Sequence, residues 1–217
     1  MIEAVVFDMD GLMIDSERVW QAQWPSVLAK FGLTYKDGLK EACVASSGTV
    51  FEGIVRGFYP DADCAGIREE LWDSARRALE AGVDAKPGLY ELMDWLDENH
   101  VRRAIASASN EALIRQNVHN IGLDGRFDAI VAGEMVTRGK PFPDTFLLAA
   151  EKLGADPTRT VVLEDSNPGI RAAAAGGFIP VMVPDLIAPQ DDVRDLWARC
   201  CTSLLEVRDL LAAGELG

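Results

Sequence analysis

The chain has 217 residues, 48% of them hydrophobic, which is enough for one α/β domain with an insertion and a sizeable buried core. Its 21 Lys and Arg stand against 35 Asp and Glu, a formal net charge of -14, which argues against nucleic acid or an anionic membrane as partner and leaves any anionic ligand dependent on local cations. The 4 cysteines have no CxxC spacing and only 2 histidines accompany them, so no zinc cluster is expected and the cysteines read as reduced packing residues. Ahead of Asp8 lie Glu3 and a short apolar run, too little for a signal peptide or a membrane span, so the protein reads as cytoplasmic.

That run, Ala4, Val5, Val6 and Phe7, has the β-branched and aromatic character of a buried strand. It ends on Asp8 and Asp10, which alternation along an extended chain points the same way, while Met9 points back into the protein. Two carboxylates about 4 Å apart repel by about 4 kcal/mol at an effective dielectric of 20, which calls for a cation or a shared proton.

Residues 16–81 carry helical patterns of their own and are expected to form an inserted all-helical cap. Trp20, Trp24, Val27, Leu28 and Phe31 make one apolar stripe, read as cap core, and Ile67, Leu71, Ala75 and Ala78 make another. Pro25 inside the first stripe is expected to kink or interrupt that helix, at a cost of about 3 kcal/mol in an ordinary interior. Gly82 and the Lys86-Pro87-Gly88 turn mark the return, so residues 1–15 and 82–217 form the second body.

In that body Leu89, Leu92, Met93 and Leu96 predict a helix, and a strand from Arg103 to Ala106 ends in Ser107. Ser109 is expected to cap a helix beginning near Glu111 with Leu113, Ile114 and Val118 on its apolar face. A strand over Ala129 to Ala132 precedes a loop carrying Lys140, whose backbone Pro141 biases to an extended shape. Asp144 to Leu153 reads as a helix between Pro143 and Gly154. Strands over Thr160 to Leu163, ending in Glu164, and Phe178 to Val183 enclose a helix containing Ala172 to Ala175. Alternating strands and helices predict an α/β fold, a Rossmann-like doubly wound parallel sheet, with chemistry beyond the carboxyl ends of its strands.

Polar groups collect at those ends: Asp8 and Asp10, then Ser107, Ser109 and Asn110, then Lys140, then Glu164 and Asp165. The carboxylates suit a hard cation such as Mg²⁺, which takes one or two of them and keeps positions for water and phosphate. Lys140 adds a fixed positive charge, Ser107 a hydroxyl, and the amides opening the next helix an anion site.

The four ordered segments FDMDGLMIDSE, IASASN, GKPFPD and LEDSNPG resemble the motifs of the haloacid dehalogenase-like hydrolase superfamily, in the branch with a helical cap after the first strand. IASAS and EDSNPGI are similar to β-phosphoglucomutase-like sugar phosphatases. The resemblance implies Asp8 as nucleophile, Asp10 as general acid and base, and Ser107, the Ala108 amide and Lys140 as binders of the transferring phosphate. It implies Mg²⁺ held by Asp8, the Asp10 carbonyl and Asp165, with Glu164 a ligand or one shell out. Glu17, Thr49 and Asn110 are candidate substrate contacts. The expected activity is Mg²⁺-dependent hydrolysis of a small phosphorylated metabolite, a sugar or polyol phosphate, through an aspartyl-phosphate, by a monomer. A hexose-phosphate mutase is the alternative. It is weakened because Ser46-Ser47-Gly48-Thr49 lacks the cap arginine that grips a second phosphate, although Arg56 or Arg68 could stand in. A catalytically silent binding protein on the same fold is the reading from a different class.

Overall fold

In the computed structural model, which describes residues 2–43, 48–186 and 188–216, the first apolar run forms β1 (Ala4–Phe7) with all four side chains buried. The chain then leaves this body after Asp15 and returns at Asp84, and the intervening segment Ser16–Val83 is a unit of its own. That unit contains α1 (Ser16–Lys30), α2 (Leu39–Cys43), α3 (Gly48–Phe58) and α4 (Cys64–Glu80). Its core joins Trp24, Val27 and Leu28 of α1 to Phe51 and Val55 of α3 and Ile67 and Leu71 of α4, with the Trp24 ring stacked on Phe51 at 5.7 Å between centroids.

In this unit one local expectation, that Pro25 interrupts its helix, is not met. Helix α1 runs through Pro25 without a break. Pro25 is exposed while Trp24, Val27 and Leu28 around it are buried, and burial of side chains of that size, about 1.5 to 3 kcal/mol each, outweighs one lost backbone hydrogen bond. The unit also continues to Val83, two residues past the expected end at Ala81. Ser46 and Ser47 lie outside the described residues.

From Asp84 the other body continues through α5 (Leu89–Glu98), β2 (Arg102–Ala106), α6 (Glu111–Asn120), β3 (Ala129–Val131) and α7 (Asp144–Leu153). It closes with β4 (Thr160–Glu164), α8 (Asn167–Ala175), β5 (Ile179–Met182), β6 (Arg199–Cys200) and α9 (Leu204–Ala212). Among the described residues six strands form one sheet in the order β3-β2-β1-β4-β5-β6, and every neighbouring pair is parallel. The fold is therefore α/β and doubly wound. The chain starts at the centre, builds to one edge, crosses back over β1 and builds to the other.

Period-2 alternation sorts the strand residues between two faces. Ala4 and Val6 join Ala104, Val131, Val162 and Phe146 in one core cluster, while Phe7, on the opposite face, meets Phe127 edge to face. Strand β6 and helix α9 lie beyond the last element expected from the sequence. Cys43, Cys64 and Cys201 are buried packing residues as expected, but Cys200 is exposed, and none of the four is in a disulfide. No helix among the described residues is long and apolar enough to cross a membrane.

Candidate active site

Strands β1 and β4 pair in register from Ala4 with Thr160 to Phe7 with Leu163, and one further ladder bond, Asp8 N to Leu163 O at 3.0 Å, carries Asp8 to the sheet's carboxyl edge. Glu164 is the next residue of β4, so the register alone brings Asp8 beside Glu164 and Asp165. The order of strands reverses between these two, and that is where open α/β sheets form their ligand crevice. Oxygens of Asp8, Glu164 and Asp165 all lie within 4.8 Å of one another, and they are the one such group among the described residues.

Lys140 answers this charge. Its Nζ donates to Asp8 Oδ1, to Glu164 Oε1 at 2.5 Å and to the Ala106 carbonyl at 3.2 Å, and it sits 4.8 Å above the Phe146 ring. The peptide joining Lys140 to Pro141 is cis. Burial by itself would strip the lysine of its proton, but the fields of Asp8 and Glu164 outweigh it and hold the ammonium charged beyond the ordinary lysine range. One ammonium cannot balance three carboxylates. Burial, against the pull of Lys140 and with the push of Glu164 and Asp10, drives Asp8 up to about 8, and burial with the fields of Asp8 and Glu164 drives Asp165 well above the usual carboxylate range. Hard oxygen donors, excess negative charge and small separation fit a divalent cation of the Mg²⁺ type.

Glu164 is fully buried and held from both sides. Its Oε2 accepts from Ser166 N at 3.0 Å and Ser166 Oγ at 2.7 Å, while Ser166 Oγ in turn accepts from Gly169 N as the N-cap of α8. The carboxylate thus rests on the first turn of a helix, whose dipole favours negative charge. A Cβ on Gly169 would overlap the Glu164 carboxylate, and a Cβ on Gly11, at φ 84°, would overlap that of Asp165. Ser166 and Gly169 support the Glu164 carboxylate without having been singled out from sequence. The signal was there in DSNPG, a cap residue followed by proline and glycine at a helix start.

The Asp10 carboxylate turns to the β2 side, where Ser109 Oγ donates to its Oδ2 at 2.9 Å and Ser107 Oγ lies at 3.4 Å. Ser109 is therefore not the cap of α6. Asn110 takes that place, its Oδ1 accepting from Leu113 N at 2.9 Å. Ser107 is buried and reaches Asp10, and Ala108 is exposed in the same loop. Glu17 and Thr49 belong to the helical unit: Thr49 is exposed in the first turn of α3, and Glu17 lines a cavity of about 150 Å³ with Trp20, Trp24, Lys40 and Trp72. Arg68, one of the two arginines considered for a second phosphate, is paired with Glu52 at 2.5 Å.

A family model described as haloacid dehalogenase-like hydrolase matches residues 2–177. Fructose-1-phosphate phosphatase YqaB of Escherichia coli (strain K12) is 35% identical over 185 residues, covering 82% of this chain and 95% of that protein. Hexitol phosphatase B of the same organism is 30% identical over 221 residues, covering 100% of this chain and 97% of that one. The crystal structure of a HAD family hydrolase from Deinococcus radiodurans R1 with bound phosphate and sodium superposes with a TM-score of 0.84 at 29% identity, over 99% of this chain and 97% of that chain.

Proposed function

From the chain's membership of the haloacid dehalogenase-like hydrolase family, we propose that it is a Mg²⁺-dependent phosphatase that hydrolyses a small sugar or polyol monophosphate through a phosphorylated Asp8. The observation that carries this reading is Asp8 at the switch point of the sheet, held by Lys140 and flanked by Glu164 and Asp165. The named activities of the two Escherichia coli relatives support the substrate class, and the phosphate bound in the Deinococcus radiodurans relative supports the ligand.

Asp8 and Asp165, with the Asp10 carbonyl, would hold the cation. When bound it supplies positive charge that screens the nucleophile from the incoming phosphate. A carboxylate meeting a phosphate dianion at 4 Å faces about 8 kcal/mol of repulsion at an effective dielectric of 20, and Lys140 offsets part of it. Glu164, with both oxygens engaged by Lys140 and Ser166, acts by holding the lysine over Asp8. One Asp8 oxygen attacks phosphorus as the ester P–O bond breaks, and Asp10 gives its proton to the leaving oxygen. Asp10 then takes a proton from water, whose oxygen attacks phosphorus and releases phosphate while Asp8 is regenerated. Ser107, the Ala108 amide and Lys140 bind the transferring group.

A phosphate-release screen over sugar, polyol and nucleotide monophosphates with Mg²⁺ tests the reading. Release from sugar and polyol phosphates is expected, with none from Asp8→Asn or in EDTA. Full turnover in either would overturn the assignment. Phosphorus NMR of a hexose 1-phosphate with bisphosphate primer separates the outcomes further, since isomerisation faster than phosphate release would make the protein a mutase.

A further inference from the structure

The loop that carries Asp10 is tied down by a segment far from it in sequence. After Asp8 the chain folds tightly back on itself, Gly11 N donating to Ile14 O at 3.0 Å and Met13 N to Met9 O at 2.9 Å. The returning segment then pairs with it antiparallel: Lys86 N donates to Met13 O at 2.8 Å, Asp15 N to Asp84 O at 3.0 Å, and Ile14 bridges Ala85. Lys86 adds its side chain to this ribbon, with Nζ 2.5 Å from Asp185 Oδ1 and 3.8 Å from Asp15 Oδ1. The pair is largely withdrawn from water, the Lys86 side chain being 17% exposed and that of Asp185 5%. Asp185 lies in the loop after β5, and that loop begins with Val183 N donating to the Glu164 carbonyl at 2.7 Å. Lys86 thus joins the Asp10 loop to a loop anchored on Glu164.

An ion pair this buried adds little net stability over a well-packed apolar side chain; what its directional contacts supply is a fixed register between the segments they join. Register matters here because Gly11 sits against the Asp165 carboxylate, so a shift of the loop moves Asp10 relative to the cluster. We propose that Lys86, through Asp185 and Asp15, is a positioning residue that sets the distance between the Asp10 loop and the carboxylates at the end of β4. The catalytic part of this inference rests on the phosphatase reading; the structural part does not.

Two measurements on the full chain test it with Lys86→Met and Lys86→Arg. In hydrogen exchange by mass spectrometry, Lys86→Met should speed exchange of the amides of residues 13–15 about ten-fold while those of β4 keep their wild-type rate, and Lys86→Arg should restore protection. With p-nitrophenyl phosphate and Mg²⁺, kcat should fall about ten-fold with KM changed less than about two-fold, as for a displaced catalytic group. Unchanged exchange at 13–15, or a rise shared equally by β4, overturns the proposal, as does wild-type kcat in Lys86→Met. If Lys86→Met does not fold, Asp185→Asn, which keeps volume and an acceptor, carries the same expectations. A wild-type protein that releases no phosphate would defeat the phosphatase reading, and the exchange result alone would then decide the clasp.

Discussion

Asp165 and Glu164 are neighbours in sequence, and each has a glycine against its carboxylate. Gly169 leaves room for the Glu164 carboxylate over the start of α8, and Gly11 leaves room for that of Asp165. Either Gly169→Ala or Gly11→Ala should therefore displace a carboxylate by about 1 Å and lower kcat about 100-fold, with far-UV circular dichroism unchanged. Wild-type turnover in both would remove the glycines from the account of the site. The cysteines give a second test at this scale. Burial raises the Cys201 thiol to about 12 and the Cys43 thiol to about 11, so neither is a thiolate near neutrality. The exposed Cys200 is also shifted upward, by partial burial and then by Glu206. Iodoacetamide should label the native protein at Cys200 alone, at a rate still climbing above pH 9. Peptide mapping of the native and the denatured protein distinguishes this from labelling at Cys43 or Cys201.

Helix α1 is an element whose sequence and tertiary context disagree. Pro25 leaves the Gln21 carbonyl without its helical donor, yet the helix persists because its buried stripe packs on α3 and α4. Pro25→Ala should restore that bond at an exposed position. The gain of about 3 kcal/mol in helix propensity is offset by up to about 1 kcal/mol from the freer unfolded chain, leaving about 2 kcal/mol. Trp20, Trp24 and Trp72 all lie in this unit, so the urea midpoint read by tryptophan fluorescence should rise. A lower midpoint would mean that the proline is favoured by a local geometry the helix requires. Strand β6 shows the reverse case, an element too short and too exposed to carry a periodic signal, which exists because β5 offers its edge.

For the whole molecule, the proposed cation site predicts a stability that depends on the cation. A ligand present at 100 times its Kd and bound only by the folded state adds about 2.7 kcal/mol, or about 5 to 10 °C in Tm for a chain of this length. Mg²⁺ should produce such a shift in calorimetry. Asp165→Asn should abolish the shift and leave a Tm at or above that of the metal-free wild type, because it removes one of the mutually repelling charges. An equal Mg²⁺ shift in both proteins would place the cation elsewhere. The helical unit and the α/β body have separate cores, so two transitions are the expectation, with Mg²⁺ moving the one that contains β1 and β4.

Apolar runs of strand length ending in Asp8, Ser107 and Glu164, and helical periodicities between them, determined by themselves the doubly wound sheet, the inserted helices and the list of polar strand ends. Those are local patterns, set by side-chain alternation and by apolar faces that must be buried. Only the tertiary structure decided that β1 lies beside β4, because strand order depends on pairings between residues more than 150 positions apart. The same holds for the contact of Lys140 with Asp8 and Glu164, for Asn110 instead of Ser109 as the cap of α6, and for the clasp of Lys86 on Asp185. A carboxylate two positions from another announces that a cation is needed, but which one reaches it is a question of three-dimensional distance, and charge carries no periodicity from which that distance could be read.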